Sequence, residues 1–188
     1  MSTEFVIFGV VVFVRLLVPF SILRWPLAGI VLSILADAAD IMVFEKIGGP
    51  GPIAWEDYHL LDKVLDTYYL AFAAFVAWRW RDKLARNIAL ALFGWRLAGV
   101  VAFEFYASMT GELVRPLMFF APNIFEHFVV AYLLIRLVKP QFRFGRRSAL
   151  VTLLIVTALK MPQEYILHFG YQDRTWGFLR DNVFWWLY

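Results

Sequence analysis

The sequence predicts an all-α, polytopic membrane protein: a six-helix transmembrane bundle followed by an aromatic C-terminal segment lying in the interface. Three observations predict it. First, 62% of the 188 residues are apolar and only 18% are charged, against roughly 45–50% and about 25% in an ordinary soluble domain. Second, the apolar residues gather in six runs, each long enough to cross a ~30 Å hydrocarbon core, which takes about 20 helical residues. Third, the chain holds 19 Phe, 8 Trp and 8 Tyr, and Trp and Tyr anchor helices at the two membrane interfaces. This composition excludes a disordered chain, a small secreted scaffold and an ordinary cytosolic enzyme. With no cysteine in the sequence, disulfide frameworks, thiolate zinc sites, Cys-ligated iron–sulfur clusters and cysteine nucleophiles are excluded too.

The spans are expected at residues 5–23, 26–44, 60–80, 87–107, 117–138 and 149–169. The first carries no basic leader and no small-residue cleavage site, and Glu4 and Arg15 stand where a signal peptide would be basic or apolar. It is therefore expected to stay as a span. Gly48, Gly49, Pro50, Gly51 and Pro52 can only form a loop between the second and third spans. Pro140 and the basic run from Arg143 to Arg147 separate the fifth from the sixth. Residues 1–172 are expected to make one transmembrane domain. Residues 173–188 carry Trp176, Phe178, Phe184, Trp185, Trp186 and Tyr188 but are too short to span. They are expected to lie in the interface or to dock on a partner subunit.

Orientation follows from the Lys and Arg residues of the short connections. The connections after spans one, three and five hold ten: Arg24, Arg79, Arg81, Lys83, Arg86, Arg136, Lys139, Arg143, Arg146 and Arg147. The opposite side holds five: Lys46, Lys63, Arg115, Arg174 and Arg180. The bias predicts a multi-pass protein of the cell (inner) membrane with both termini outside the cytoplasm. Membrane lipids are then its surroundings, and the basic pI reflects topology rather than nucleic-acid binding.

Ionisable groups inside a span cost several kcal/mol each unless they pair or line a wet cavity. Here they are numerous. The second span carries Asp37 and Asp40, three apart; the third opens with Asp62 and Asp66, four apart. Each pair therefore projects from one face of its helix. Arg96 and Glu104 lie in the fourth span, Asn123, Glu126 and His127 follow Pro122 in the fifth, and Lys160, Glu164 and His168 line the sixth around Pro162. By their positions along the spans these residues converge on one leaflet. Arg15 is assigned to lipid headgroups. That leaves Asp37, Asp40, Asp62, Asp66, Glu104, Glu126 and Glu164 facing only Arg96 and Lys160, an acid surplus that protons, a cation or water has to balance. Pro122 and Pro162 each remove a backbone donor at that depth, where broken helices are tolerated if they line a cavity.

Two carboxylate pairs on successive helices suit a hard divalent cation, Mg²⁺ first, with Mn²⁺ or Zn²⁺ as alternatives. Asp37, Asp40, Asp62 and Asp66 are its expected ligands, and Asp66, Arg96 and Glu126 its expected catalytic partners. Glu104, Asn123, Lys160, Glu164 and His168 complete the polar site. No haem, flavin or nucleotide signature is present, and the glycines at 48, 49 and 51 precede no P-loop Lys-Ser or Lys-Thr.

The four aspartates resemble part of the signature of the CDP-alcohol phosphotransferases, six-span enzymes of about this size. The chain departs from that signature at Ile41–Phe44 and at Tyr58, and in the distance between the pairs. The resemblance implies a divalent cation and a phosphate-bearing substrate. Three functions follow as expectations: a divalent-cation-dependent enzyme acting on a lipid-linked or phosphate-bearing substrate, a proton- or cation-coupled transporter or channel, and a non-catalytic subunit of a membrane complex.

Overall fold

The computed structural model describes residues 3–47, 49–111 and 116–169. These form helices and connections, with no strand among the described residues. The helices are α1 (Thr3–Leu17), α2 (Phe20–Arg24), α3 (Pro26–Ile47), α4 (Trp55–Trp78), α5 (Lys83–Thr110), α6 (Pro116–Phe119), α7 (Ile124–Val138) and α8 (Arg146–Phe169). Each expected span falls on one or two of them. The expected loop at Gly48–Pro52 is irregular over Gly49–Pro52, Gly48 itself lying outside the described residues. The C-terminal aromatic segment, 173–188, also lies outside them.

Among the described residues, three stretches are long and apolar enough to cross a membrane: Thr3–Arg24, Pro26–Phe44 and Lys83–Thr110. The other expected spans fall short for physical reasons. α4 carries Asp62, Lys63 and Asp66 in its first half, and α8 carries Lys160, Gln163 and Glu164 in its last, so these polar side chains dilute an otherwise sufficient length. α7 has 15 residues, about 22 Å at 1.5 Å per residue, because Pro122 separates it from α6. Pro19 likewise separates α1 from α2. Pro162, by contrast, sits inside a continuous α8.

The described residues form two compact units, those up to Leu90 with Val129–Arg143, and those of 91–128 with 144–169. In the first, α1 and α2 each pack on α3 and α4, and α3 packs on α4. Gly29 makes the α2–α3 approach possible, since a Cβ there would run into the Ile22 backbone. Phe44 closes the core at one end, stacked on Phe8 at 6.1 Å and edge-on to Tyr58 at 4.9 Å between ring centroids. Trp80 stacks on Tyr132 at 3.8 Å. Asp82 accepts the Ala85 amide at 3.1 Å and so caps the start of α5. Phe13, Trp25, Leu35 and Trp78 face outward.

In the second unit α6 packs on α8. Phe93 tilts against Phe125 at 5.3 Å. Gly99 lets α5 approach Ala121, whose side chain a Cβ at Gly99 would strike. The approach brings Trp95 Nε1 within 3.0 Å of the Phe120 carbonyl and Arg96 Nη1 within 2.8 Å of the Ala121 carbonyl. These two donors satisfy carbonyls freed where α6 ends. Val101, Phe105 and Met109 are exposed along α5.

Candidate cation site

The first unit gathers Asp37, Asp40, Asp62 and Asp66 around a single guanidinium, that of Arg15. Arg15 Nη1 lies 2.5 Å from Asp40 Oδ2 and 2.5 Å from Asp62 Oδ1. Its Nη2 lies 2.5 Å from Asp37 Oδ1 and 2.6 Å from Asp66 Oδ1. The i, i+3 spacing on α3 and the i, i+4 spacing on α4 put both carboxylates of each helix on the face turned to α1. Three helices are thereby joined at one planar fork. A guanidinium is suited to this because its donors are fixed in a plane and it stays protonated.

This corrects the assignment of Arg15 to lipid headgroups: the residue is only 4% exposed. It stands in the last turn of α1, where four carboxylates from α3 and α4 hold its guanidinium. The sequence held an indirect signal for it, namely the acid surplus it helps to offset.

Tyr58 is the second residue that sequence reasoning missed. Its hydroxyl donates to Asp40 Oδ2 at 2.5 Å, the same oxygen that takes Arg15 Nη1. Both donors thus hold one oxygen of Asp40 and leave the other, Oδ1, buried with no hydrogen-bond partner. Asp40 is 1% exposed, whereas the side chains of Asp37, Asp62 and Asp66 are 32%, 24% and 24% exposed. The cluster therefore has a closed end at Asp40 and an open side. One oxygen each from Asp37, Asp40 and Asp62 lie within 4.8 Å of one another, and this group could hold a metal ion.

Charge makes the same point. His59 also acts on Asp62, and the four carboxylates share the one Arg15 guanidinium, which by itself offsets one of their four charges. Their mutual repulsion at these separations is several kcal/mol at an effective dielectric of about 20. Protons or a cation can relieve it. The orphaned oxygen of Asp40 suits a hard cation, which takes oxygen ligands and completes its shell with water.

The second unit holds a smaller polar group of its own. Asn123 precedes α7, and its Nδ2 donates to Glu126 Oε2 at 2.9 Å. The Asn123 amide donates to Glu164 Oε1 at 3.3 Å. Lys160 Nζ lies 3.3 Å from the same Glu164 oxygen and donates to Gln163 Oε1 at 2.9 Å. Glu126 stands in the first turn of α7, where the helix dipole favours an anion. Asn123 Oδ1 and His127 Nδ1 are buried without hydrogen-bond partners. Arg96 donates to the Ala121 carbonyl, and Glu104 is half-buried on α5. The side chain of His168 lies outside the described ones. The described contacts thus join the four aspartates to Arg15, and Asn123, Glu126, Lys160 and Glu164 to one another.

Comparison of the chain with protein-family models, with curated proteins and with solved structures finds no match in any of the three.

Proposed function

We propose that the chain is an integral protein of the cell membrane with six spans and both termini outside the cytoplasm, and that its aspartate cluster takes up a divalent cation. The cation then serves chemistry on a lipid-linked or phosphate-bearing substrate. The observation that carries this is the buried, orphaned Oδ1 of Asp40, a residue grouped with Asp37 and Asp62 closely enough to hold a metal ion. Mg²⁺ fits best among hard cations. It is octahedral and keeps waters, so with one oxygen each from Asp37, Asp40 and Asp62 it has three positions left for water and a substrate phosphate. The partly exposed Asp37, Asp62 and Asp66 supply the open side from which such a substrate would approach.

A second proposal has a specific observation in its favour. Phosphate chemistry calls for a basic group beside the metal, yet the Arg15 guanidinium is held by four carboxylates and Arg96 Nη1 by the Ala121 carbonyl. A cation- or proton-coupled carrier needs no phosphate anchor. Its carboxylates bind and release the ion as the local charge changes.

Binding of Mn²⁺ to the purified full chain, followed by its electron paramagnetic resonance signal, tests the cation site common to both. Saturable binding that Mg²⁺ competes away is expected. No binding would end both proposals. Where binding occurs, cation flux into proteoliposomes identifies a carrier, and turnover of a lipid-linked phosphate without flux identifies an enzyme.

A further inference from the structure

We infer that Arg15 is a tethered counter-ion that an entering divalent cation displaces from Asp37, Asp40 and Asp62, so that cation uptake is an exchange of guanidinium for metal. The inference rests on the cation site proposed above and names how that site is regulated.

Arg15 and the cation draw on the same three carboxylates. The guanidinium holds Asp40 and Asp62 through Nη1 and Asp37 through Nη2. Those are also the three residues whose oxygens lie within 4.8 Å of one another. Mg²⁺ needs its oxygens at about 2.0–2.1 Å and in octahedral directions, all aimed at one centre. A planar fork holds them differently, spread along its edge. The two arrangements compete for the same side chains. A divalent charge within about 5 Å of the guanidinium would also be repelled by it, with little solvent to screen the pair.

Two features show how the exchange can proceed. Asp40 Oδ1 takes neither Arg15 nor Tyr58, so Asp40 keeps one oxygen that the guanidinium does not cover. Asp66 is the fourth partner of Arg15, on Nη2 at 2.6 Å, and it stands outside the three-residue group. Arg15 therefore keeps a carboxylate when it yields the other three. Asp66 is its resting place in the cation-bound state, and α1 stays tied to α4 throughout.

The test compares Mn²⁺ affinity of the full-length wild type with that of Arg15→Gln and Arg15→Lys, and follows the Arg15 guanidinium by ¹⁵N magnetic resonance during a Mg²⁺ titration of the wild type. Arg15→Gln is expected to bind Mn²⁺ at least tenfold more tightly, and Arg15→Lys, which keeps the charge, within about threefold of wild type. The wild-type Nη signals, in slow rotation while four carboxylates hold the fork, are expected to move to faster rotation at saturating Mg²⁺. Equal or weaker binding by Arg15→Gln overturns the exchange while leaving the cation site standing. If Arg15→Gln does not fold, the wild-type titration decides alone: Nη signals unchanged at saturating Mg²⁺ overturn the exchange. Absence of Mn²⁺ binding by both wild type and Arg15→Gln overturns the cation site itself, and the exchange with it.

Discussion

The guanidinium of Arg15 and the carboxylate of Asp40, 25 residues apart in the chain, meet with Nη1 2.5 Å from Oδ2, and both side chains are buried. Neither residue is placed there by secondary structure alone. α1 and α3 come together through apolar contacts such as Phe8 on Phe44, and the ion pair then sits at the level where both helices also face α4.

Removing one partner of a buried ion pair strands the other, at a cost of about 3–5 kcal/mol. Arg15→Met strands four carboxylates at once, so it is expected to lower stability by at least that amount. Thermal unfolding in detergent measures it. Added Mg²⁺ should recover part of the lost stability by supplying the missing positive charge, and it should stabilise the variant more than the wild type.

Asp40→Asn tests the opposite end of the pair. Arg15 retains Asp37, Asp62 and Asp66, and one fewer negative charge relieves repulsion within the cluster. Stability is expected to hold within about 1 kcal/mol. Cation affinity is expected to fall at least tenfold, because the buried ligand has lost its charge. Calorimetric titration with Mg²⁺, beside unfolding of the same preparation, checks both.

Gly29→Ala probes the fold independently of the site. The added Cβ meets the backbone of Ile22 and Ser21, which cannot turn away as a side-chain tip can. Overpacking of this kind costs about 1–3 kcal/mol, and α2 must shift from α3. Gly94→Ala, with open space around its Cβ position, is expected to leave the unfolding midpoint within about 1 °C or raise it, since Ala favours helix.

The chain has no cysteine, so single cysteines placed in the connections report topology against no background. A membrane-impermeant maleimide applied to intact cells is expected to label a cysteine at Pro52 and to leave one at Gln141 unlabelled. The reverse pattern would invert the orientation while preserving the site.

The helices were legible because long apolar runs bounded by glycine, proline and charge leave little choice of boundary. Thus α3 and α5 begin and end within a few residues of the spans expected at 26–44 and 87–107. The breaks at Pro19 and around Pro122 were less so, since an apolar run does not disclose whether a proline interrupts it or is absorbed, as Pro162 is in α8. The aspartate pairs were legible from their spacing. Arg15 was not, because a lone basic residue in an apolar helix gives no indication of its partners until helices 25 and more residues away are packed on it. Tyr58 lies just before the expected third span and carries no charge to draw notice, yet it donates to the most buried carboxylate of the cluster.

The occupancy of the aspartate cluster tests the central claim most directly. An anomalous difference map from crystals grown with Mn²⁺ is expected to show a peak bonded to Asp40 Oδ1 and to oxygens of Asp37 and Asp62, with the Arg15 guanidinium withdrawn onto Asp66. A map at saturating Mn²⁺ with no peak there, and with Arg15 still on all four aspartates, would contradict it.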